Sequence, residues 1–407
     1  MNVYFHTFGC KANQYDTERV RQAFADAGAT VVDAAEGADL AVVNSCTVTH
    51  ESEAKLRRYV RHLARAGRDT VIMGCAAALD DGVLASLPRV RAVVAGADPE
   101  RVLHASGLAA PRLDPVLRRF TGSARGWLKI QDGCDEHCTF CATTIARGAN
   151  RSRPVAEIVA EARALAEHHA ELVLTGVHIG AYGREPGERS EGWDATSLGE
   201  LLEALIEAVP QVRFRLSSIE ATEVDDRLAR LLIEAPRQLA AHLHAPLQTA
   251  ANRLLKRMGR RWYTAESYRA RVEWLAERLP RFGLGADVIA GFPGETDAEH
   301  GATLDFVAAL PFTYLHVFPF SVRPDAPAAR LPGRVPDAVA RARARELRAL
   351  GDARGGAYRR ARRGGRGDGV VCARQSGRVE LLTEDYLTVY LSGDYWDGRP
   401  RLDVTVD

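Results

Sequence analysis

Short apolar runs separated by helix-patterned stretches recur through most of this chain, and that alternation restricts it to parallel strands covered by helices. Between residue 1 and about 110 the runs are VYFHTF, LAVVN, TVIMG and RAVVA, with helical stretches starting at Asp16 and Glu51. They predict an open parallel α/β sheet as an amino-terminal domain, residues 1–110. A segment with Pro111 and Pro115 and little periodicity follows and reads as a linker. From Trp127 six further runs, WLKI, ELVLTG, VRFRLSS, AAHLHAPL, GADVIAG and FTYLHVF, are each followed by a helical stretch such as 155–168 or 298–309. Six βα units predict a partial (β/α)6 barrel over 120–350, with its chemistry at the carboxyl ends of the strands. An arginine-rich helix, RARARELRAL, and a Gly/Arg segment then lead to GVVCAR, RVELLT, YLTVYL and LDVTV, which suit a small β-barrel over 355–407.

The chain opens directly on a strand pattern, with no charged leader before a long apolar run, and no stretch is apolar enough to span a bilayer. A cytoplasmic protein with no membrane partner is expected. Its 54 basic and 53 acidic residues nearly cancel, so no whole-molecule field argues for DNA, and any basic patch must be local. Seven cysteines in such a chain point to metal or catalysis rather than to disulfides.

Three of them lie in DGCDEHCTFCATTIARG, where Cys134, Cys138 and Cys141 follow the first barrel strand at CxxxCxxC spacing and Gly133 frees the backbone to turn. Thiolates this close can hold one 4Fe-4S cluster. Three ligands on four irons leave one iron open, where S-adenosylmethionine (SAM) can chelate and be cleaved by one electron to a 5′-deoxyadenosyl radical. A zinc site completed by His137 or by a distant ligand is the alternative. Phe140 is placed to contact the adenine of SAM or simply to pack. Arg147 is placed to meet a substrate carboxylate or phosphate, or to sit at the surface.

Cys10, Cys46 and Cys75 are far apart in sequence, but each falls just after a predicted strand. Parallel strands bring their carboxyl ends to one edge. Singly each cysteine reads as a small buried hydrophobe; the repeated position favours a second cluster. Cys372, in a tail strand, reads as core.

At this point TFGCKANQYDTE, NSCTVT, GCDEHCTFC, RLSSIE at Arg215–Glu220 and HLHAPLQT at His242–Thr249 resemble the methylthiotransferase family of radical SAM enzymes, in the branch acting on threonylcarbamoyladenosine of tRNA. The resemblance covers essentially the whole chain, including a terminal TRAM-like domain. It implies two 4Fe-4S clusters, SAM in two roles, a flavodoxin- or ferredoxin-like electron donor, and methylthiolation of carbon 2 of the modified adenine beside the anticodon. It also implies SAM contacts from Thr175 and Gly176 after the second barrel strand and from Ser217 and Glu220 after the third. Ala142–Thr144, Ala76–Ala77 and Ala250–Ala251 depart from the residues common there, and none removes a ligand.

In the tail, Arg354, Arg359, Arg360, Arg362, Arg363 and Arg366 stand beside Tyr386, Tyr390, Tyr395 and Trp396. Arginine neutralises phosphate and aromatic rings stack on unpaired bases, so this segment is expected to grip the tRNA anticodon arm, with Arg359, Arg360, Arg362 and Arg363 as contacts. The same chemistry on isopentenyl-adenosine of tRNA, or on an aspartate of a ribosomal protein, stands as an alternative. So does a non-enzymatic iron-sulfur protein that binds RNA as a redox sensor.

Overall fold

A computed structural model describes residues 1–47, 50–121, 124–184, 197–323 and 325–407, with His50 and Tyr395 described by backbone alone. Strands β1 (Asn2–Thr7), β2 (Thr30–Val32), β3 (Leu40–Ser45), β4 (Asp69–Gly74) and β5 (Val90–Ala95) form one parallel sheet in the order β2-β1-β3-β4-β5. Alternate residues of β3 face opposite ways, as the two-residue strand period requires. Leu40 and Val42 pack with Phe24 of helix Lys11–Asp26, and Ala41 and Val43 pack with Leu56 and Val60 of helix His50–Arg65. The two helices therefore leave β1 and β3 on opposite faces, which opens a crevice at the carboxyl ends of those strands. The first helix begins at Lys11 rather than Asp16, because Gly9, at φ +114°, turns the chain directly out of β1.

After β6 (Arg125–Lys129) comes a short antiparallel pair, β7 (Gln131–Asp132) with β8 (Arg151–Ser152). Strands β9 (Glu171–Thr175), β10 (Arg213–Leu216), β11 (His242–His244), β12 (Gly283–Ala290) and β13 (Tyr314–Pro319) complete the six expected units. They form two parallel sheets, β10-β9-β6 and β11-β12-β13, joined by single bridges Phe214 to Leu239 and Ser218 to His244. Among the described residues β6 and β13 do not pair, so the barrel is an open arc.

The tail is a curled four-stranded antiparallel sheet, β14 (Arg366–Gln375), β15 (Arg378–Leu382), β16 (Thr388–Ser392) and β17 (Arg401–Thr405), ordered β16-β15-β14-β17 around Val371, Val379, Leu381, Val389 and Val404. One difference from the sequence expectation is the helix before it, which runs unbroken from Asp337 to Arg362. The Gly/Arg stretch read as a segment after the helix is its last turns. Gly351 lies against Leu315, and a side chain at Gly355 would come 2.7 Å from the carbonyl oxygen of Thr313, so glycine here lets the helix lie on β13.

A buried charge cluster fastens the tail to the barrel. Glu171 is fully buried at the start of β9, and its carboxylate meets Arg125 at 2.6 Å, Arg213 at 2.6 Å and Arg215 at 3.0 Å. Arg213 also donates to the carbonyls of Asp368 and Leu382, and Arg215 to those of Thr383 and Glu384. Burial works against the Glu171 carboxylate, but the three guanidiniums outweigh it and hold the carboxyl well below its usual range. A depressed carboxyl stabilises the fold above the ordinary carboxylate pKa and loses that contribution as pH falls. Glu171→Gln leaves three guanidiniums without their counter-charge and should cost about 3–5 kcal/mol. Urea melts at neutral pH test this, and a loss under about 1 kcal/mol would contradict the role assigned to Glu171.

Candidate active site

Strands β1, β3 and β4 are neighbours, so Cys10, Cys46 and Cys75 lie along one sheet edge at the point where strand order reverses. Their loops press together. A side chain at Gly9 would come 3.0 Å from Cys46 Cβ, and one at Gly74, φ +97°, would come 2.2 Å from Asn44 Oδ1. The Asn13 amide donates to Asn44 Oδ1 and to the Ser45 carbonyl, both at 2.9 Å, and Asn44 donates back to the Asn13 carbonyl. Ser45 Oγ donates to the Met73 carbonyl at 2.5 Å and accepts from Ala77 N–H at 3.1 Å, joining the loops after β3 and β4.

Cys134, Cys138 and Cys141 lie on the loop after β7, all half-buried. Gly133, at φ +70°, makes the turn where any Cβ would collide with the Ala149 carbonyl oxygen at 1.8 Å. Each sulfur accepts an N–H: Cys134 from Glu136 at 3.4 Å, Cys141 from Thr143 at 3.3 Å, and Cys138 from Arg260 at 3.4 Å. Burial pushes the Cys138 thiol up to about 12, with Arg260 opposing. Three soft donors ringed by N–H groups fit an iron-sulfur cluster, which needs thiolate ligands with their charge eased by hydrogen bonds. The same chemistry fits the first-domain set, where Cys75 Sγ accepts from Arg147 Nε at 3.2 Å. His137, one of the ways a zinc site could be completed, is exposed. Among the described residues the metal-ligating group of three or more within 4.8 Å is His244, Asp287 and His316, which contains no cysteine.

Arg147 is not at the surface and is not open to a substrate phosphate. Its side chain is 9% exposed, paired with Asp16 at 2.9 Å and Asp132 at 3.0 Å, while Lys129 meets the same two carboxylates at 2.7 and 2.6 Å. Two cations and two anions thus alternate in a buried square between the amino-terminal helix and the first barrel loop. Sequence reasoning placed Arg147 near a carboxylate but missed that the carboxylates are the chain's own.

Thr175 is buried at the end of β9, and Gly176 lies so close to Gln131 that a Cβ would come 2.6 Å from its Oε1. Gln131 is a buried joint: its Oε1 accepts from Val177 and His178 N–H at 2.9 Å, and its amide donates to the Gly133 carbonyl at 2.5 Å and Asn150 Oδ1 at 2.6 Å. It clips the loop after β9 to the cysteine loop. Beside it His178, which the sequence did not single out, has Nδ1 3.8 Å from Cys134 Sγ and Nε2 2.7 Å from Glu223. Glu220 is buried and pairs with Arg260, and its Oε2 has no hydrogen-bond partner among the described residues. Phe140 packs against Leu254, Met258, Ile289 and Phe292, so the packing role is the one its surroundings display.

A cavity of about 1270 Å³ opens where the three parts meet. It is lined by Cys10 and Cys46 from the first sheet, Ser217, His242, Asp287 and Tyr314 from the barrel, and Tyr386 from the tail. Tyr386 was expected to stack on RNA bases; instead it occupies a turn at φ +69° and reaches into the barrel. Its ring stacks on His242 at 4.3 Å and Tyr314 at 5.1 Å. Tyr314 Oη bonds both His242 and His244, at 2.8 and 3.0 Å, and Asp287 lies 3.0 Å from His244 and 3.4 Å from His316. Burial, reinforced by Arg215, keeps His242 well below the usual histidine value and hence neutral at pH 7.

The tail arginines divide. Arg359 donates to the Thr388 carbonyl at 2.7 Å, and Arg362 pairs with the buried Asp385 at 2.6 Å, so both are engaged in the tail's own packing. Arg360 and Arg363 are exposed, as is Tyr390; Trp396 lies under Arg374 at 3.7 Å, and the Tyr395 side chain is outside the described residues.

Residues 2–96 match the family model described as Uncharacterized protein family UPF0004, and residues 128–307 match the Radical SAM superfamily. The chain is 37% identical to the threonylcarbamoyladenosine tRNA methylthiotransferase MtaB of Bacillus subtilis, over 86% of this chain and 80% of that protein. It is 36% identical to the protein of that name from Thermotoga maritima, over 82% and 78%. A tRNA-2-methylthio-N(6)-dimethylallyladenosine synthase of Maricaulis maris is 32% identical over 86% and 81%. The solved radical S-adenosylmethionine methyltransferase TsrM of Kitasatospora setae shares the fold, with a TM-score of 0.61 at 16% identity over 81% of this chain and 77% of that one. With two cysteine triads set on a parallel sheet and a radical SAM barrel, and with relatives this similar along most of its length, the chain belongs to the radical SAM tRNA methylthiotransferase family, whose cofactors are 4Fe-4S clusters and SAM.

Proposed function

We propose that this chain adds a methylthio group to carbon 2 of N6-threonylcarbamoyladenosine beside the anticodon of tRNA. The observation that carries the choice of substrate is the cavity lining. Lys11 and Arg215 place cations on it, and His242, His244, Asp287 and His316 add further polar groups among apolar side chains. A threonylcarbamoyl group carries a carboxylate, a hydroxyl and a urea that such a wall can pair, whereas a dimethylallyl chain calls for an apolar sleeve. The names of the Bacillus and Thermotoga relatives support the same reading.

In this reading Cys134, Cys138 and Cys141 hold the SAM-binding cluster, and Cys10, Cys46 and Cys75 hold the second. When bound, clusters and SAM supply the one-electron chemistry and the sulfur, fed by a flavodoxin- or ferredoxin-like donor. The chain's own groups orient and shield. Arg260 and the loop amides donate to the first sulfurs, and Arg147 donates to Cys75. Thr175, Gly176, Ser217 and Glu220 position SAM, with the orphan Glu220 Oε2 free to accept from a ribose hydroxyl. Residues 1–110 form the sulfur-handling domain, 120–350 the radical barrel and 355–407 the RNA-gripping tail, with helix Asp337–Arg362 continuous across the last boundary. Exposed Arg360 and Arg363 hold the anticodon arm while the adenine turns out of its stack into the cavity.

Anaerobic reconstitution with SAM, reductant and tRNA bearing threonylcarbamoyladenosine tests the substrate. Nucleoside mass spectrometry should show the methylthio product, and product only on dimethylallyladenosine tRNA would replace this reading with the other. Cys134→Ala should abolish 5′-deoxyadenosine formation, whereas Cys75→Ala should keep it and lose the methylthio product; loss of both activities in both variants would undo the division of labour. Arg147→Met should lower iron content by one cluster's share while SAM cleavage persists, and wild-type iron content would show that Cys75 does not depend on it. Arg360→Glu combined with Arg363→Glu should weaken tRNA binding and reduce the slope of log K against log salt by about two, and an unchanged slope would remove these arginines from the RNA contact.

A further inference from the structure

We infer that Lys11 forms a carboxylate-binding subsite at the floor of the cavity and selects for an acidic substituent on the adenine, an inference that rests on the substrate reading above. Lys11 directly follows Cys10, opens the helix Lys11–Asp26 and lines the cavity. It is only partly exposed, and the charged groups it faces are Arg125, Arg215 and Glu171 together with the Cys10 thiol. Glu171 is already enclosed by three arginines. The carboxylates on the cavity wall are also taken: Glu51 by Lys55 at 2.9 Å, Asp287 by His244 at 3.0 Å and Asp337 by Arg334 at 3.2 Å. Lys11 has neither a hydrogen-bond nor an ion-pair partner among the described residues. The remaining lining arginines differ from it, since Arg348 donates to the Val317 carbonyl at 2.8 Å and Arg341 is exposed to solvent.

An ammonium drawn out of water beside two guanidiniums, with no anion of its own, is a site waiting for negative charge. A carboxylate arriving there forms a charge-assisted hydrogen bond where the fold has none to offer. A second feature points the same way. His242, 3% exposed, faces Lys11 electrostatically and is fixed through Nε2 to Tyr314, yet its Nδ1 has no partner among the described residues. Lys11 and His242 therefore offer a cation and a neutral hydrogen-bonding group on the lining of one cavity, matching a substituent that carries both a carboxylate and a hydroxyl. An apolar substituent in this position would leave both unsatisfied, so the subsite excludes as well as attracts.

The test uses the reconstituted full-length enzyme and two anticodon stem-loop RNAs, one bearing threonylcarbamoyladenosine and one its threoninamide counterpart, in which a neutral amide replaces the carboxylate. The wild type should favour the acid by roughly 10- to 100-fold in kcat/KM. Lys11→Met should bring that ratio close to one, through a raised KM on the acid, and Lys11→Arg should keep a preference. General damage to the neighbouring cluster would slow both RNAs alike and leave the ratio intact. A Lys11→Met enzyme that keeps the wild-type ratio overturns the assignment while leaving the substrate reading standing, and so does a wild type that treats acid and amide equally. Should Lys11→Met not load iron, the wild-type ratio and Lys11→Arg decide by the same criteria. A wild type inactive on both RNAs but active on a dimethylallyl-bearing one overturns the substrate reading, and this subsite with it.

Discussion

The buried square of Lys129, Arg147, Asp16 and Asp132 fixes how the two cysteine sets face each other. Each of its charges has two partners of opposite sign, and its corners come from the amino-terminal helix, from β6 and β7, and from the short helix that ends the cysteine loop. A buried ion cluster of this kind contributes modestly to net stability, because desolvation offsets much of its attraction. Its value is geometric. A displaced register between sheet and barrel would strand a charge, so the square admits one docking. That docking brings Arg147 to Cys75, and so links the loop of the barrel's cysteine set to the edge of the first sheet.

A second buried cluster does the same at the other end of the barrel. Glu171 gathers Arg125, Arg213 and Arg215, and the two arginines of β10 reach on to carbonyls of the tail. The turn thus anchored carries Tyr386 into the barrel, where it stacks with His242 and Tyr314 and closes the cavity from below. The tail is therefore part of the cavity wall as well as a candidate RNA contact. The charge left over at the floor, on Lys11, follows from the same crowding: three arginines converge on one carboxylate, and none remains for the lysine beside them.

Much of this was legible in the sequence because it depends on local pattern. All six apolar runs after Trp127 became parallel strands, and the four runs of the tail became its four strands. The loop cysteines needed only the strand-end rule to be placed together. Where the reading missed, a tertiary contact had overridden a local cue. The glycines near 355 read as a segment beyond the helix, but they sit inside it, where its close approach to β13 leaves no room for a side chain. Arg147, Arg359 and Arg362 looked available to a ligand, but buried carboxylates and carbonyls far away in sequence hold them. His178 and Gln131 carried no signal at all, since neither stands in a motif whose spacing implies a role.

By itself the sequence determined the class of fold and singled out the candidate metal-binding cysteines, because strand period, helix period and cysteine spacing are properties of neighbouring residues. Only the tertiary structure decided which charged groups are already paired and that Lys11, among the described residues, is not. Charge compensation is a sum over everything within a few ångströms, and that neighbourhood is assembled from β1, β6, β10 and the tail. Lys11 is one letter in a cysteine motif until the folded chain surrounds it with arginines.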